Sequence, residues 1–268
     1  MHIRWTRMRS LIALLCCIAA QRNRHDRPNV IFVLVDDWGW RDFGLRQPFL
    51  KTPHMNKLAR QGRLLTRHYS QSTCTPSRAA LLTGRHPIEL GLQHDLIVHG
   101  QTSGIPQEFT LLPEHLQDCG YHTYLVGKWH LGFAHDWMRP ERRGFDYFYG
   151  MLTGAGDHYT REFGFQDEFR GVDFSDGGKP SNASWGVYST RLYADKVDAL
   201  LDRQINETDP FFLYYAMQTV HFPHQARPED EAKYAWINDD YRRLYAAMLS
   251  ATDEAIGDFE RKLKMNDQ

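Results

Sequence analysis

The chain has 268 residues, 42% of them hydrophobic and 24% charged, which excludes a disordered or collagen-like composition. Thirty-two lysines and arginines stand against 33 aspartates and glutamates, a formal net charge of −1. That balance argues against a general electrostatic drive onto nucleic acid or anionic lipid and leaves room only for a local basic pocket.

The first twenty residues read as a secretory signal peptide. Arg4, Arg7 and Arg9 precede an apolar run from Leu11 to Ala20 that is too short to span a bilayer, with small residues at Ala19 and Ala20. No stable membrane anchor is expected. The chain would enter the secretory pathway, for a lysosomal or secreted destination. In that context the triplets beginning at Asn182 and Asn206 read as glycosylation acceptors on exposed loops. Cys16 and Cys17 would leave with the leader, so Cys74 and Cys119 remain. One bridge between these two is the plain reading, and two cysteines make no disulfide framework.

Asn29 to Val35 (NVIFVLV) is a continuous β-branched run, expected as a buried parallel strand. Thr52-Pro53 opens a helix with Thr52 as cap, and Gly62 closes it. Thr75-Pro76 opens a second helix that ends at Gly84, and Thr110 to Asp118 forms a third. His122 to Val126 is a strand. Gly154 to Gly186 has no clear period and reads as a long surface excursion. Ser189 to Asn206 is a helix, Phe211 to Met217 (FFLYYAM) a strand, and Tyr241 to Lys264 an amphipathic helix. Alternating strands and helices predict an α/β fold with a mostly parallel sheet.

In such sheets ligands bind beyond the carboxyl ends of the strands, and three ends carry unusual residues. The first ends in Asp36-Asp37. These neighbouring carboxylates repel unless a cation or basic side chains lie between them, and their oxygens suit Ca²⁺ or Mg²⁺. A polar turn is the alternative. The second runs into Lys128-Trp129-His130, where a pleat would aim Lys128 and His130 into one site. The third ends in His221, with His224 as a loop residue.

The sharpest local signal is Cys74-Thr75-Pro76-Ser77-Arg78. A helix start places Cys74 where backbone N–H groups and the dipole favour an anion and would lower a thiol pKa. Arg78 would offer a fork for a tetrahedral oxyanion. A buried thiol beside a surface arginine is the alternative.

CTPSRAALLTGR resembles the sulfatase signature. The segments PNVIFVLVDDWGW, TPHMNKLARQG, GLQH, VGKWHLGF, RRGFDYFYG and VHFPH follow the order sulfatases show, from about residue 27 onward. The likeness is strongest to the arylsulfatase B group with its I- and J-type relatives. It implies an alkaline-phosphatase-like α/β sheet with helices on both faces. It implies hydrolysis of sulfate esters, of N-acetylgalactosamine-4-sulfatase type on glycosaminoglycans or on aryl sulfates. Cys74 would be oxidised to formylglycine by a formylglycine-generating enzyme, giving a diol that attacks sulfur and later eliminates sulfate. By resemblance, Asp36, Asp37 and modified Cys74 would bind one Ca²⁺. Arg78 would steady the diol, His130 would act as base, and Lys128 and His221 would hold sulfate and help protonate the leaving oxygen.

Residues 27–268 then read as the N-terminal part of a sulfatase catalytic domain, truncated before the strand whose Asp-Asn pair completes the calcium shell in the family pattern. A truncated, non-catalytic fragment that at most binds sulfated glycans is the alternative. A related phosphohydrolase is disfavoured, because such enzymes use serine or threonine where this chain has Cys74.

Overall fold

Val30–Leu34 forms β1, and Phe211–Ala216 forms β8, the strand beside it in the sheet. The elements between and after them are α1 (Pro53–Gln61), α2 (Cys74–Thr83), α3 (Leu112–Asp118), β2 (His122–Lys128), β3 (Tyr147–Met151), β4 (Glu162–Phe165), β5 (Phe169–Val172), β6 (Ser175–Asp176), β7 (Lys179–Pro180), α4 (Ser189–Gln204), α5 (Pro228–Ala232) and α6 (Asp240–Asn266). The computed structural model describes residues 27–165, 169–182, 184–204 and 207–266. The expected leader, residues 1–20, and Asn206 lie outside these. Among the described residues no helix is long and apolar enough to cross a membrane.

The main sheet runs β1-β8-β2-β3-β6-β7. Its first four strands are parallel, and β6 and β7 add an antiparallel margin. Side chains of β8 alternate between two cores, as a pleat requires. Phe211, Leu213 and Tyr215 pack on one face against α4 and α6 residues such as Tyr193 and Met248. Phe212, Tyr214 and Ala216 pack on the other with Ala79 and Leu82 of α2. Helices therefore cover both faces, and all six β8 residues are buried.

The strand ends at the site are drawn together by glycines. Ala216, Gly127 and Gly150 stand in register across β8, β2 and β3. A Cβ on Gly127 would lie 1.8 Å from the Ala216 carbonyl oxygen, and one on Gly150 would lie 1.9 Å from that of Gly127. Only glycine permits this spacing.

Several expectations need correction. β1 is not enclosed: it stands at one end of the described sheet, with Val30 and Phe32 each 36% exposed. The stretch 154–186 is not irregular throughout. It holds the β4–β5 hairpin and strands β6 and β7, and β6 pairs with β3. β3 itself was not foreseen. Thr52 does not cap α1 with its side chain. Its hydroxyl accepts from Gly44 N at 3.0 Å, while Asp253 of α6 accepts from His54 N and Met55 N at 3.1 and 2.8 Å. The cap therefore comes from a distant helix and ties α1 to α6. No disulfide joins Cys74 to Cys119. Asn182 is exposed.

Candidate active site

Past β1 the chain is locked to the turn after β8. Asp36 N donates to Thr219 O at 2.9 Å, and Val220 N donates to Asp36 O at 2.7 Å. This turns the Asp36 carboxylate inward, where it is 5% exposed. Its Oδ2 accepts from Lys128 Nζ at 2.6 Å and its Oδ1 from Arg78 Nη2 at 3.1 Å. Burial alone would raise this carboxyl, but Lys128, Arg78 and His221 outweigh it and hold it at about 2. The repulsion expected between adjacent carboxylates is relieved by these cations. Asp37 adopts φ 54°, and its half-exposed carboxylate lies 3.7 Å from His221 Nε2.

Arg78 and Lys128 are both fully buried. Arg78 Nη1 also donates to Lys128 O at 3.0 Å, so the last residue of β2 is bound through its backbone and its side chain. The hydroxyl of Tyr214 accepts from the same guanidinium at 3.4 Å. The sulfur of Cys74, the first residue of α2, lies within 4.8 Å of an Asp36 oxygen and a His221 nitrogen. Here one expectation fails. Burial pushes the thiol up, and the nearby Asp36 adds to that effect, so Lys128 and Arg78 do not make it acidic. As an unmodified thiol, Cys74 is a poor nucleophile.

His130 reaches the site by a different route from the one expected. β2 stops at Lys128, and His130 takes φ 57° in the turn beyond. Thr75 Oγ1 donates to its carbonyl at 3.1 Å, and its Nε2 meets Ile97 O at 3.1 Å. With a carbonyl as partner, Nε2 carries the proton. Nδ1 is then bare, buried and without a partner among the described residues. Burial, with Lys128 and Arg78, keeps this imidazole neutral well below its usual range. His221 Nδ1 donates to Phe222 O at 2.8 Å, which leaves Nε2 toward Asp37. Burial and Lys128 also lower His221. His224 packs edge-on against Tyr241 and Tyr245 and takes no part in this cluster.

Sequence reasoning missed Tyr214 and His158. Tyr214 reads as a core aromatic in FFLYYA. His158 Nε2 meets His221 O at 3.3 Å and its Nδ1 meets Ser189 Oγ at 2.7 Å, yet its segment had no period to flag it.

The sulfatase family model matches residues 28–268. The chain belongs to the sulfatase family. This sulfatase chain is 43% identical over 242 residues to arylsulfatase J of Mus musculus, covering 89% of itself and 40% of that protein. It is 32% identical to N-acetylgalactosamine-6-sulfatase of Mus musculus, covering 86% of itself and 46% of the relative. It spans about half the length of the curated relatives it matches. Among solved structures, Ps i-CgsB superposes with a TM-score of 0.82 at 32% identity, over 90% of this chain and 56% of that one. A second structure of Ps i-CgsB holds k-i-k-neocarrahexaose.

The family implies a calcium ion and a formylglycine. The donors of this sulfatase chain fit both in chemistry. Asp36 presents a hard carboxylate oxygen beside residue 74, and Asp37 presents one beside His221. His130 adds a bare, buried ring nitrogen that can accept a proton.

Proposed function

We propose that this chain hydrolyses sulfate esters of N-acetylgalactosamine in glycosaminoglycans, and aryl sulfates, with residue 74 as nucleophile. The observation that carries this reading is the convergence of Cys74 with Asp36 and His221 within 4.8 Å, backed by buried Arg78 and Lys128. Oxidised to formylglycine by a formylglycine-generating enzyme, residue 74 would supply a hydroxyl for attack on sulfur. Asp36, Asp37 and residue 74 would hold Ca²⁺, whose charge orients sulfate oxygens.

The remaining work falls to side chains already in place. Lys128 and Arg78 offset negative charge on the sulfuryl oxygens in a water-poor setting, where each charge counts for more. His130 Nδ1 is the base for a hydroxyl proton on residue 74. His221 Nε2 and Lys128 bind the sulfate, and the Lys128 ammonium supplies the proton that the leaving oxygen takes up. Burial of the thiol supports the need for modification, since Cys74 itself is held protonated. The resemblance favours the 4-O ester. A 6-sulfatase is among the relatives, so both positional isomers are the substrates to compare. The route is secretory, with Asn182 and Asn206 as glycan acceptors.

The test is the intact chain made with and without the formylglycine-generating enzyme. Mass spectrometry of the peptide containing residue 74 should show conversion only with that enzyme, and 4-nitrophenyl sulfate should turn over only in the converted protein with Ca²⁺. Calcium should also raise the melting temperature of wild type and not of Asp36→Asn. Conversion without turnover would leave a non-catalytic fragment that at most binds sulfated glycans.

A further inference from the structure

Beside the sulfate-facing cluster lies a cavity of 360 Å³, within the range of single-ligand pockets. His130 and His221 belong to its wall as well as to the site, so the cavity begins where the sulfate would end. Its other surfaces are Val98, Phe163, Phe222 and Pro223. His99 stacks on Phe163, with ring centroids 3.3 Å apart and planes inclined by 18°. This pair makes one flat platform from two separate chain segments. Phe222, 60% exposed, supplies another ring at the mouth. Flat rings of this kind suit the apolar face of a pyranose or an aryl group.

The charges are arranged unevenly. Lys128 and Arg78 gather on the Asp36 side, and no lysine or arginine among the described residues lines the cavity. The acidic residues along its wall are Asp157, partly buried, and Glu162, exposed at the rim. Asp157 Oδ1 accepts from Tyr159 N at 2.8 Å and Thr160 N at 2.7 Å, and Oδ2 accepts from Gln225 Nε2 at 2.6 Å. These neutral donors outweigh the effect of burial and hold Asp157 ionised. Burial lowers His99, so the platform is uncharged near neutral pH.

The geometry points to a specificity pocket for an uncharged ring that bears a single sulfate ester, with Asp157 and Glu162 rejecting a ring that carries a second anion. This rests on the proposed sulfate site and adds the class of alcohol it releases. A carboxylate or second sulfate on the same ring would enter a wall that holds two carboxylates and no cation. Like charges at short range disfavour binding by about tenfold.

Calorimetry on the full chain made without the formylglycine-generating enzyme, which leaves Cys74 unconverted, tests this without turnover, with calcium present. The probes are inorganic sulfate, N-acetylgalactosamine 4-sulfate and N-acetylgalactosamine 4,6-disulfate. The monosulfate should bind about tenfold more tightly than the disulfate, and Glu162→Gln should shrink that ratio by about threefold. Because Glu162→Gln is isosteric, a change in the ratio reports charge and not fit. His99→Ala should weaken the monosulfate by about fivefold and leave inorganic sulfate unchanged, while His99→Phe should keep the stack and restore the monosulfate. Equal binding of the two sugars, or a ratio untouched by Glu162→Gln, would overturn the pocket while sulfate binding still stands. Absence of inorganic sulfate binding in this unconverted chain would sink the sulfate site and the pocket together.

Discussion

Lys128 Nζ stands 2.6 Å from Asp36 Oδ2, and both side chains are almost wholly removed from water. Two such charges are costly to bury, and each makes the other tolerable. Arg78, equally buried, holds the second Asp36 oxygen. Lys128→Met should therefore destabilise the chain by about 3–5 kcal/mol, because a buried carboxylate loses its shorter contact. Urea unfolding of Lys128→Met and of the double variant Lys128→Met/Asp36→Asn checks this. The double variant should recover part of the loss, since it leaves less uncompensated charge. An equal or larger loss would mean that Lys128 matters mainly for packing.

The same carboxylate should make the fold sensitive to strong acid. Asp36 is held at about 2, below the 3.8 of an unfolded aspartate. Its contribution is full above the unfolded value and is lost as pH falls through about 2. The size is about 2 kcal/mol. A stability curve between pH 5 and 2 should fall less steeply in Asp36→Asn than in wild type. Parallel curves would show that the acid sensitivity lies elsewhere.

Much of this was legible in the sequence. FFLYYA reads as a buried strand because every residue is apolar or aromatic, and both faces of β8 are in fact covered. Strand ends rich in Asp, Lys and His do converge, since a parallel sheet brings its carboxyl ends to one side. What stayed hidden depends on contacts between distant segments. Asp253 caps α1 from nearly two hundred residues away, which no local pattern encodes. β3 contains Gly150, which reads as a break until the carbonyl of Gly127 fills the space where a side chain would go. The Cys74 thiol was expected to be acidic from its helix position alone. Burial, a tertiary property, reverses the sign.

Gly154 should prove indispensable to the base. A Cβ there would lie 2.3 Å from His130 Cε1 and 2.6 Å from Nε2, so the ring must leave Ile97 O. Gly154→Ala should cut aryl sulfate turnover by at least about tenfold, with a stability cost of about 1–3 kcal/mol. Gly171→Ala is the matched control, because nothing lies within 4 Å of its Cβ position. Hydrolysis rates and thermal melts of the two variants give the comparison. Wild-type turnover in Gly154→Ala would remove His130 from the base role.

His158 should set how the fold responds to mild acid. It is buried, its Nδ1 meets Ser189 Oγ, and its Nε2 meets the carbonyl of His221. Burial is the main reason that its pKa drops to about 4, with Arg161 and His221 adding to the drop and the bond to His221 O opposing it. The unfolded chain takes up a proton on this ring near pH 6.5, and the native chain refuses it until about pH 4. Stability therefore declines as pH falls through that window, by up to about 3 kcal/mol from this residue. His158→Gln, which keeps a donor for the His221 carbonyl, cannot titrate there. Urea unfolding at pH 7.5 and 4.5 should show a large loss in wild type and a loss smaller by about that amount in His158→Gln. If both lose equally, the buried imidazole is not the group that couples this strand end to acidity.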